Sequence, residues 1–290
     1  MRTSPKTNLF IYGRFGNVFP TNHQQSQIMK QLIQAIEAEL IKVKRAKILW
    51  ATFIAFGIAP VMGAVFIFVM QNGDMSAKAS ALIVKAEAMN LQANWESYIG
   101  ILTQAVGIGG VLLFGFVIGW IFGREYSDKT AKDLLALPTS RTTILNAKFM
   151  VCFFWCLLLV LSNLLLAFVF GMLLQLPPAS TNTLAQLLID YFITTFLAVL
   201  VSVPIAFFAL WGKGYLAPLG FVMLTLVFSQ IIAATGYGAY FPWAVPGLYS
   251  GVAIQYKLSL NCLSYAILLL TSITGYIATI IYWNRTDQTQ

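Results

Sequence analysis

Histidine is almost absent from this chain: its 290 residues include one, His23, near the amino terminus. A Ser–His–Asp or Cys–His catalytic set in the body of the molecule is therefore unsupported. Cysteine is scarce too. Cys152, Cys156 and Cys262 all fall in apolar runs, so no extracellular disulfide framework is implied. Cys152 and Cys156 stand four apart, on one face of a helix, but no third ligand lies near them. They read as small apolar packing residues, and no metal site is expected. Charged residues make up only 10% of the chain, with ten acidic side chains against 18 Lys and Arg. No GxxxxGK[ST] phosphate loop occurs, so if ATP is used another chain hydrolyses it.

Apolar sequence takes the place of charge, at 59% of residues. A helix needs about 20 apolar residues to cross the hydrocarbon core. Such runs occur at 48–70, 99–122, 149–176, 184–211, 215–235 and 262–283, none with a central Lys or Arg. A soluble domain would have to expose them. The expected fold class is all-α, a polytopic membrane protein with six transmembrane helices.

The bases fall on one side of these spans. Arg2, Lys6, Arg14, Lys30, Lys42, Lys44, Arg45 and Lys47 precede the first. Arg124, Lys129, Lys132, Arg141 and Lys148 follow the second, and Lys213 and Arg285 lie on the same side. The other side keeps Lys78, Lys85 and Lys257. Fifteen against three places both termini in the cytoplasm of a multi-pass cell-membrane protein. The net charge of +8 is then a topology signal with attraction to anionic lipid, and implies no nucleic-acid partner.

Residues 1–27 lack a period and an apolar signal core, and read as a mobile tail; Met29 is an alternative start. From 28 to 47, Ile28, Leu32, Ile36, Leu40 and Val43 recur at helical spacing opposite Lys30, Gln34, Glu37, Lys42, Lys44 and Arg45. This amphipathic helix lies in the membrane interface or packs on a partner. One transmembrane domain then runs over 28–285, with a short tail at 286–290. In the first external segment, 81–93 reads as a short helix, and Trp95 and Tyr98 fit an interfacial aromatic belt. Gly107, Gly109, Gly110, Gly115, Gly119 and Gly123 crowd the second span, which suggests close helix approach within the subunit or at a moving interface. Pro204 should kink the fourth span. Asn163 in the third span and Asp190 in the fourth are candidates for a substrate path. Residues 236–249 hold five aromatics, two prolines and no charge. They are too broken to span and too apolar to float, so short re-entrant or interfacial helices are expected. Tyr240, Phe241, Pro242, Trp243 and Pro246 are candidates for an outer gate.

Between the second and third spans, Ser127 or Asp128 can cap a short helix with an apolar stripe at Ala131, Leu134, Leu135 and Leu137. Pro138 stops it, and Thr139 or Ser140 can cap the third span. Glu125, Thr130, Leu134, Leu135, Pro138, Ser140, Arg141 and Lys148 stand as E-x4-T-x3-LL-x2-P-x-SR-x6-K. That order, with six spans, an amino-terminal helix and a broken outer segment, resembles permease subunits of the type-2 ABC exporter family, over about residues 29–285. The family includes bacitracin-, lantibiotic- and sodium-export permeases. The resemblance implies that 28–47 is an elbow helix and that Thr130, Lys132, Leu134, Leu135 and Leu137 form a coupling helix. That helix would dock into a separate ATPase subunit, with Glu125 and Arg141 orienting its ends by pairing charges. It also implies that ATP and Mg are bound by that partner and no cofactor by this chain, and that a second copy or a related permease completes the path.

The leading reading is thus a transmembrane permease subunit of an ABC transporter, exporting an amphipathic or peptide-like molecule, and not itself an enzyme. An ATP-independent carrier or channel is the alternative, supported by Asp190 alone. A membrane-embedded enzyme would need clustered His, Cys, Asp or Glu.

Overall fold

The computed structural model describes residues 22–72, 91–130, 139–251 and 260–285. Every regular element among the described residues is helical. Helix α1 spans Asn22–Lys44 and α2 Lys47–Gln71. Helix α3 spans Trp95–Ser127, with a π turn at Val106–Gly110. Helix α4 spans Arg141–Leu173, α5 Thr181–Ser202, α6 Ile205–Trp211 and α7 Leu216–Ala234. Two 3-10 turns, Gly238–Tyr240 and Pro242–Ala244, lead into α8, Val245–Tyr249, and α9 runs Cys262–Arg285. Six helical stretches (α2, α3, α4, α5 with α6, α7 and α9) are long and apolar enough to cross a membrane. The protein is a multi-pass membrane protein.

Burial sorts the spans. In the apolar windows of α3 and of α5 with α6, 61% of residues are buried, against 22–33% in the other four. These two are therefore the centre of the bundle. Helices α2, α4, α7 and α9 surround them and expose apolar faces such as Ile54, Leu165, Leu224 and Leu270, as lipid-facing helices do.

Prolines interrupt the backbone ladder in two spans, and each site is met by a side chain from another helix. Pro60 in α2 has no N–H, so the Phe56 carbonyl loses its partner four residues on. Asn163 Nδ2 of α4 donates to that carbonyl at 2.9 Å. Pro204 separates α5 from α6, as expected, and cannot donate to the Leu200 carbonyl, which accepts from Val203 N at 3.2 Å instead. Ser272 Oγ of α9 lies 2.8 Å from that carbonyl and shares its proton with Leu268 O at 2.9 Å. Such substitution is required where water is excluded.

Gly115, Gly119 and Gly123 of α3 face the subunit's own interior. A Cβ on Gly115 would meet Ile205 and Val222 at 2.7 Å, and one on Gly119 would meet Pro218 at 3.1 Å. At Gly123 it would lie 2.7 Å from the Gly214 carbonyl oxygen, which is backbone and has little room to yield. Gly123→Val is expected to cost about 1–3 kcal/mol through this clash. Gly100→Ala, with nothing within 4 Å of the added carbon, serves as the neutral control. Equal melting temperatures for the two variants in detergent would refute this packing role.

Several boundaries shift from the sequence expectation. Helix α1 begins at Asn22, inside the stretch read as a tail. It packs on α4, burying Glu39 and Val43 while Leu40 stays exposed. Of the stripe, Val43 thus faces protein and Leu32 and Ile36 are half-buried, while Met29, Ile33, Leu40 and Ile41 are exposed. Tyr98, expected in an interfacial belt, is fully buried and donates to Pro60 O at 2.9 Å. Its phenol bonds a backbone carbonyl inside α2. The expected short helix at 81–93 falls mostly outside the described residues, and 91–94 lead as a turn into α3.

Candidate functional site: a buried charged junction

Four ionisable side chains from three helices meet at one end of the bundle. Lys148 Nζ of α4 lies 2.9 Å from Glu125 Oε1 of α3 and 3.2 Å from Glu39 Oε2 of α1. Lys42 Nζ lies 2.7 Å from Glu39 Oε1 and 2.9 Å from Glu125 Oε1. Lys148 also donates to the Ile121 carbonyl at 3.3 Å. Lys148, Glu125 and Glu39 are 2%, 4% and 5% exposed, so this is a buried network rather than a surface pair. Two carboxylates alternate with two ammonium groups, and the charges cancel. That arrangement answers the large desolvation penalty of each ion taken alone.

Local backbone explains how the junction is reached. Helix α3 ends with Lys129 at φ 58°, with Lys129 N bonded to Tyr126 O and Thr130 N to Glu125 O. This left-handed cap turns the chain out at once. Glu125 therefore anchors both the side-chain network and the terminal turn. On return, Ser140 Oγ accepts from Thr143 N and caps α4, as its position suggested. Lys148 follows two turns later. Residues 128–140 thus leave and re-enter through helices joined by a single ion pair. Arg124 reinforces this end: Nη1 donates to Lys42 O at 3.2 Å, Nε pairs with Asp128 at 3.0 Å, and the guanidinium lies 5.0 Å from the Trp120 ring.

Of the residues assigned to the coupling segment and its ends, Glu125, Thr130 and Arg141 are described. Lys132, Leu134, Leu135, Leu137 and Pro138 lie outside the described residues. The implied Glu125–Arg141 pairing is replaced by another. Glu125 binds Lys148 and Lys42, whereas Arg141 Nη1 donates to the Asn284 carbonyl of α9 at 3.4 Å. The reason is depth: Glu125 is buried inside the three-helix contact, where Lys148 is also buried, and Arg141 opens its helix at the rim. Glu39 carried no motif. Its signal was position: it falls three residues after Ile36 and four before Val43, on the packed stripe, where a charge has to be paired.

The other candidates sit elsewhere. Asn163 is 1% exposed, donates to Phe56 O and accepts from Tyr191 Oη at 3.1 Å. Its amide is committed to neighbouring helices, which gives it a helix-joining role. Asp190, half-buried in α5, accepts from Tyr249 Oη of α8 at 3.1 Å. Burial, then the Asp190 charge, pushes the Tyr249 phenol up to about 12, so it remains a donor at neutral pH. Tyr240 is exposed, Phe241 and Trp243 are half-buried, and Pro242 and Pro246 are buried. Helix α8 seats on the π turn of α3: a Cβ on Gly107 would lie 2.8 Å from Pro246 O. Cys152 and Cys156 are buried among apolar side chains.

A family model described as ABC-2 family transporter protein matches residues 35–232. This chain belongs to that family. Over 180 residues the permease is 31% identical to the bacitracin transport permease protein BCRB of Bacillus licheniformis, an alignment covering 61% of this chain and 85% of that one. It is thus similar to a permease subunit along most of that protein's length. Family membership implies an ABC ATPase partner and places ATP hydrolysis on a separate subunit. The matched region contains the entire junction, from Glu39 to Lys148, and ends ahead of α8.

Proposed function

We propose that the permease forms the translocation path of an exporter for an amphipathic, peptide-like molecule, and that the charged junction carries motion from the ATPase into the membrane. One observation carries the coupling part of this reading. Both ends of segment 128–140 are fixed by side chains of one buried network that also holds α1. A push on that segment would displace α1, α3 and α4 together, since packed helices tied by ion pairs move as a unit. Thr130, Lys132, Leu134, Leu135, Leu137 and Pro138 would form the docking face. The distribution of basic residues supports a cytoplasmic junction and cytoplasmic termini. ATP and Mg would bind the ATPase alone, and a second copy or a related permease would complete the path.

The substrate class rests on two supports: spans with few ionisable groups, and a relative named for bacitracin transport. At the other end, α8 with Tyr240, Phe241, Pro242, Trp243 and Pro246 would close the exit. The Tyr249–Asp190 hydrogen bond would hold it shut against α5. ATP binding then acts by favouring one of two states, by no more than its differential affinity for them.

Leu134→Asp tests the assignment. Charging the docking stripe should abolish co-purification of the ATPase and substrate export, while membrane insertion and melting temperature stay at wild-type values. Wild-type export by that variant would refute the coupling segment.

A further inference from the structure

A cavity of about 320 Å³ lies between α4, α5 and α9, walled by Phe149, Cys152, Cys156, Phe196, Ile273 and Tyr276 among others. Ser272 also touches it, but its hydroxyl is engaged with Leu200 O and Leu268 O. The wall is therefore apolar. Helix α5 belongs to the centre of the bundle, yet its Phe196 is 54% exposed, and Ile273 of α9 is 53% exposed. The cavity is thus a groove open to the outside of the bundle, where a bilayer places lipid. The Phe149 and Tyr276 rings, 5.2 Å apart, join α4 to α9 at the end nearest the charged junction.

Polar groups follow at that end. Tyr276 Oη donates to Asn146 Oδ1 at 2.7 Å, while the half-buried Asn146 has no acceptor for its Nδ2 among the described residues. Arg141, at the start of α4, also reaches across to α9, through its 3.4 Å bond to Asn284 O. Neither Arg141 nor Arg285, the next residue of α9, pairs with a carboxylate among the described residues. Along α4, Asn146 lies about 8 Å and the first cavity residue, Phe149, about 12 Å from Arg141 at 1.5 Å per residue. A cation, a neutral donor and an apolar slot in that order match the phosphate, ester carbonyl and acyl chain of a phospholipid. The guanidinium fork suits phosphate oxygens.

We propose that the groove between α4 and α9 binds one anionic phospholipid, with its phosphate on Arg141, an ester carbonyl accepting from Asn146 Nδ2, and an acyl chain in the cavity. Charge selects this occupant. The end of the bundle that holds Arg141 and Arg285 is the one proposed above to be cytoplasmic, and basic pockets between spanning helices on that side take acidic headgroups. A second copy, with net charge +8 and its bases at the same end, would bring like charge against both arginines. The site takes from the export reading only the placement of this end. Lipid binding is measured on the permease without ATPase, so its failure leaves co-purification standing, and failed co-purification leaves the lipid site standing.

The experiment titrates full-length, delipidated permease in dodecyl maltoside and follows adducts by native mass spectrometry. The probes are dioleoyl phosphatidylglycerol, dioleoyl phosphatidylcholine and glycerol 3-phosphate, each added separately. A saturable phosphatidylglycerol adduct is expected, with phosphatidylcholine bound about fivefold more weakly and glycerol 3-phosphate not bound. Arg141→Gln should weaken phosphatidylglycerol binding about tenfold. Lys44→Gln removes an equal charge from an exposed position on α1 and should change nothing. Ile273→Trp fills the groove from its open side and should weaken both lipids alike, which keeps the test decisive if Arg141→Gln fails to fold. Equal affinity for the two lipids, undiminished binding in Arg141→Gln or Ile273→Trp, or an equal loss in Lys44→Gln overturns the site. Binding of glycerol 3-phosphate as tight as that of the lipid would make it a free-phosphate site. Ile273→Trp that splits a dimer on size-exclusion chromatography, with lipid binding unchanged, would give the groove to a second copy. Either result overturns the lipid assignment.

Discussion

Lys148→Met should destabilise the permease by roughly 3–5 kcal/mol, the usual cost of removing one partner from a buried ion pair. Glu39 and Glu125 would then share Lys42, whose side chain is 34% exposed, as their sole counter-ion within the network. Two carboxylates that are 5% exposed or less would face each other with half their compensation. The expected result is a melting temperature far below wild type in detergent and loss of the folded species on size-exclusion chromatography. Adding Glu125→Gln to Lys148→Met removes the excess negative charge and leaves the Glu39–Lys42 pair neutral. The double variant should recover part of the loss, with a coupling of about 0.5–3 kcal/mol. A single variant that melts like wild type, or a double variant that shows the plain sum of both losses, would refute the network as described.

Asn163→Leu is the second large effect expected. It strands the Phe56 carbonyl, whose backbone donor Pro60 has already removed. A buried unsatisfied carbonyl costs about 1–3 kcal/mol. The other half of the amide matters less, because Tyr191 Oη has a second acceptor in Val160 O at 3.2 Å. The diagnostic is background dependence. In a Pro60→Ala protein the residue 60 N–H returns to Phe56 O, and Asn163→Leu should lose much of its cost. Equal destabilisation in both backgrounds would show that Asn163 acts through packing or through Tyr191 instead.

The spans were legible because each is a continuous apolar run, and lipid permits nothing else. Their ends were not. Helix α4 begins at Arg141, eight residues ahead of the apolar run, because Ser140 caps it and Lys148 finds a buried counter-charge. Helix α3 continues through Arg124 and Glu125 for the same reason: paired charges extend a helix beyond the point where hydropathy falls. Pro204 was readable as a break because a missing N–H is a local fact. Its partner Ser272, 68 residues on, and the partnership of Asn163 with Pro60 are properties of the packed bundle alone. The motif pointed to Glu125 and Lys148 but not to their contact, and Glu39 was hidden by the habit of reading a charge as a solvent-facing residue. The seating of α8 on the π turn of α3 could not be inferred from composition, since an aromatic, proline-rich segment reads equally as an anchor on the surface.

The junction also imposes an order of assembly on the nascent chain. Glu125 and Lys148 are separated by 23 residues and belong to adjacent spans, so they can neutralise one another as soon as that hairpin has formed. Glu39 and Lys42 are synthesised first, yet Lys42 waits 83 residues for Glu125. Helix α1 can reach its seat only after the third span has been delivered, since α4 is the surface on which it packs. Until then the unfinished protein holds an undocked amino-terminal helix. Biogenesis therefore has a checkpoint at the third span, where a ribosome-bound intermediate should change from protease-sensitive to protease-resistant around residues 39–42.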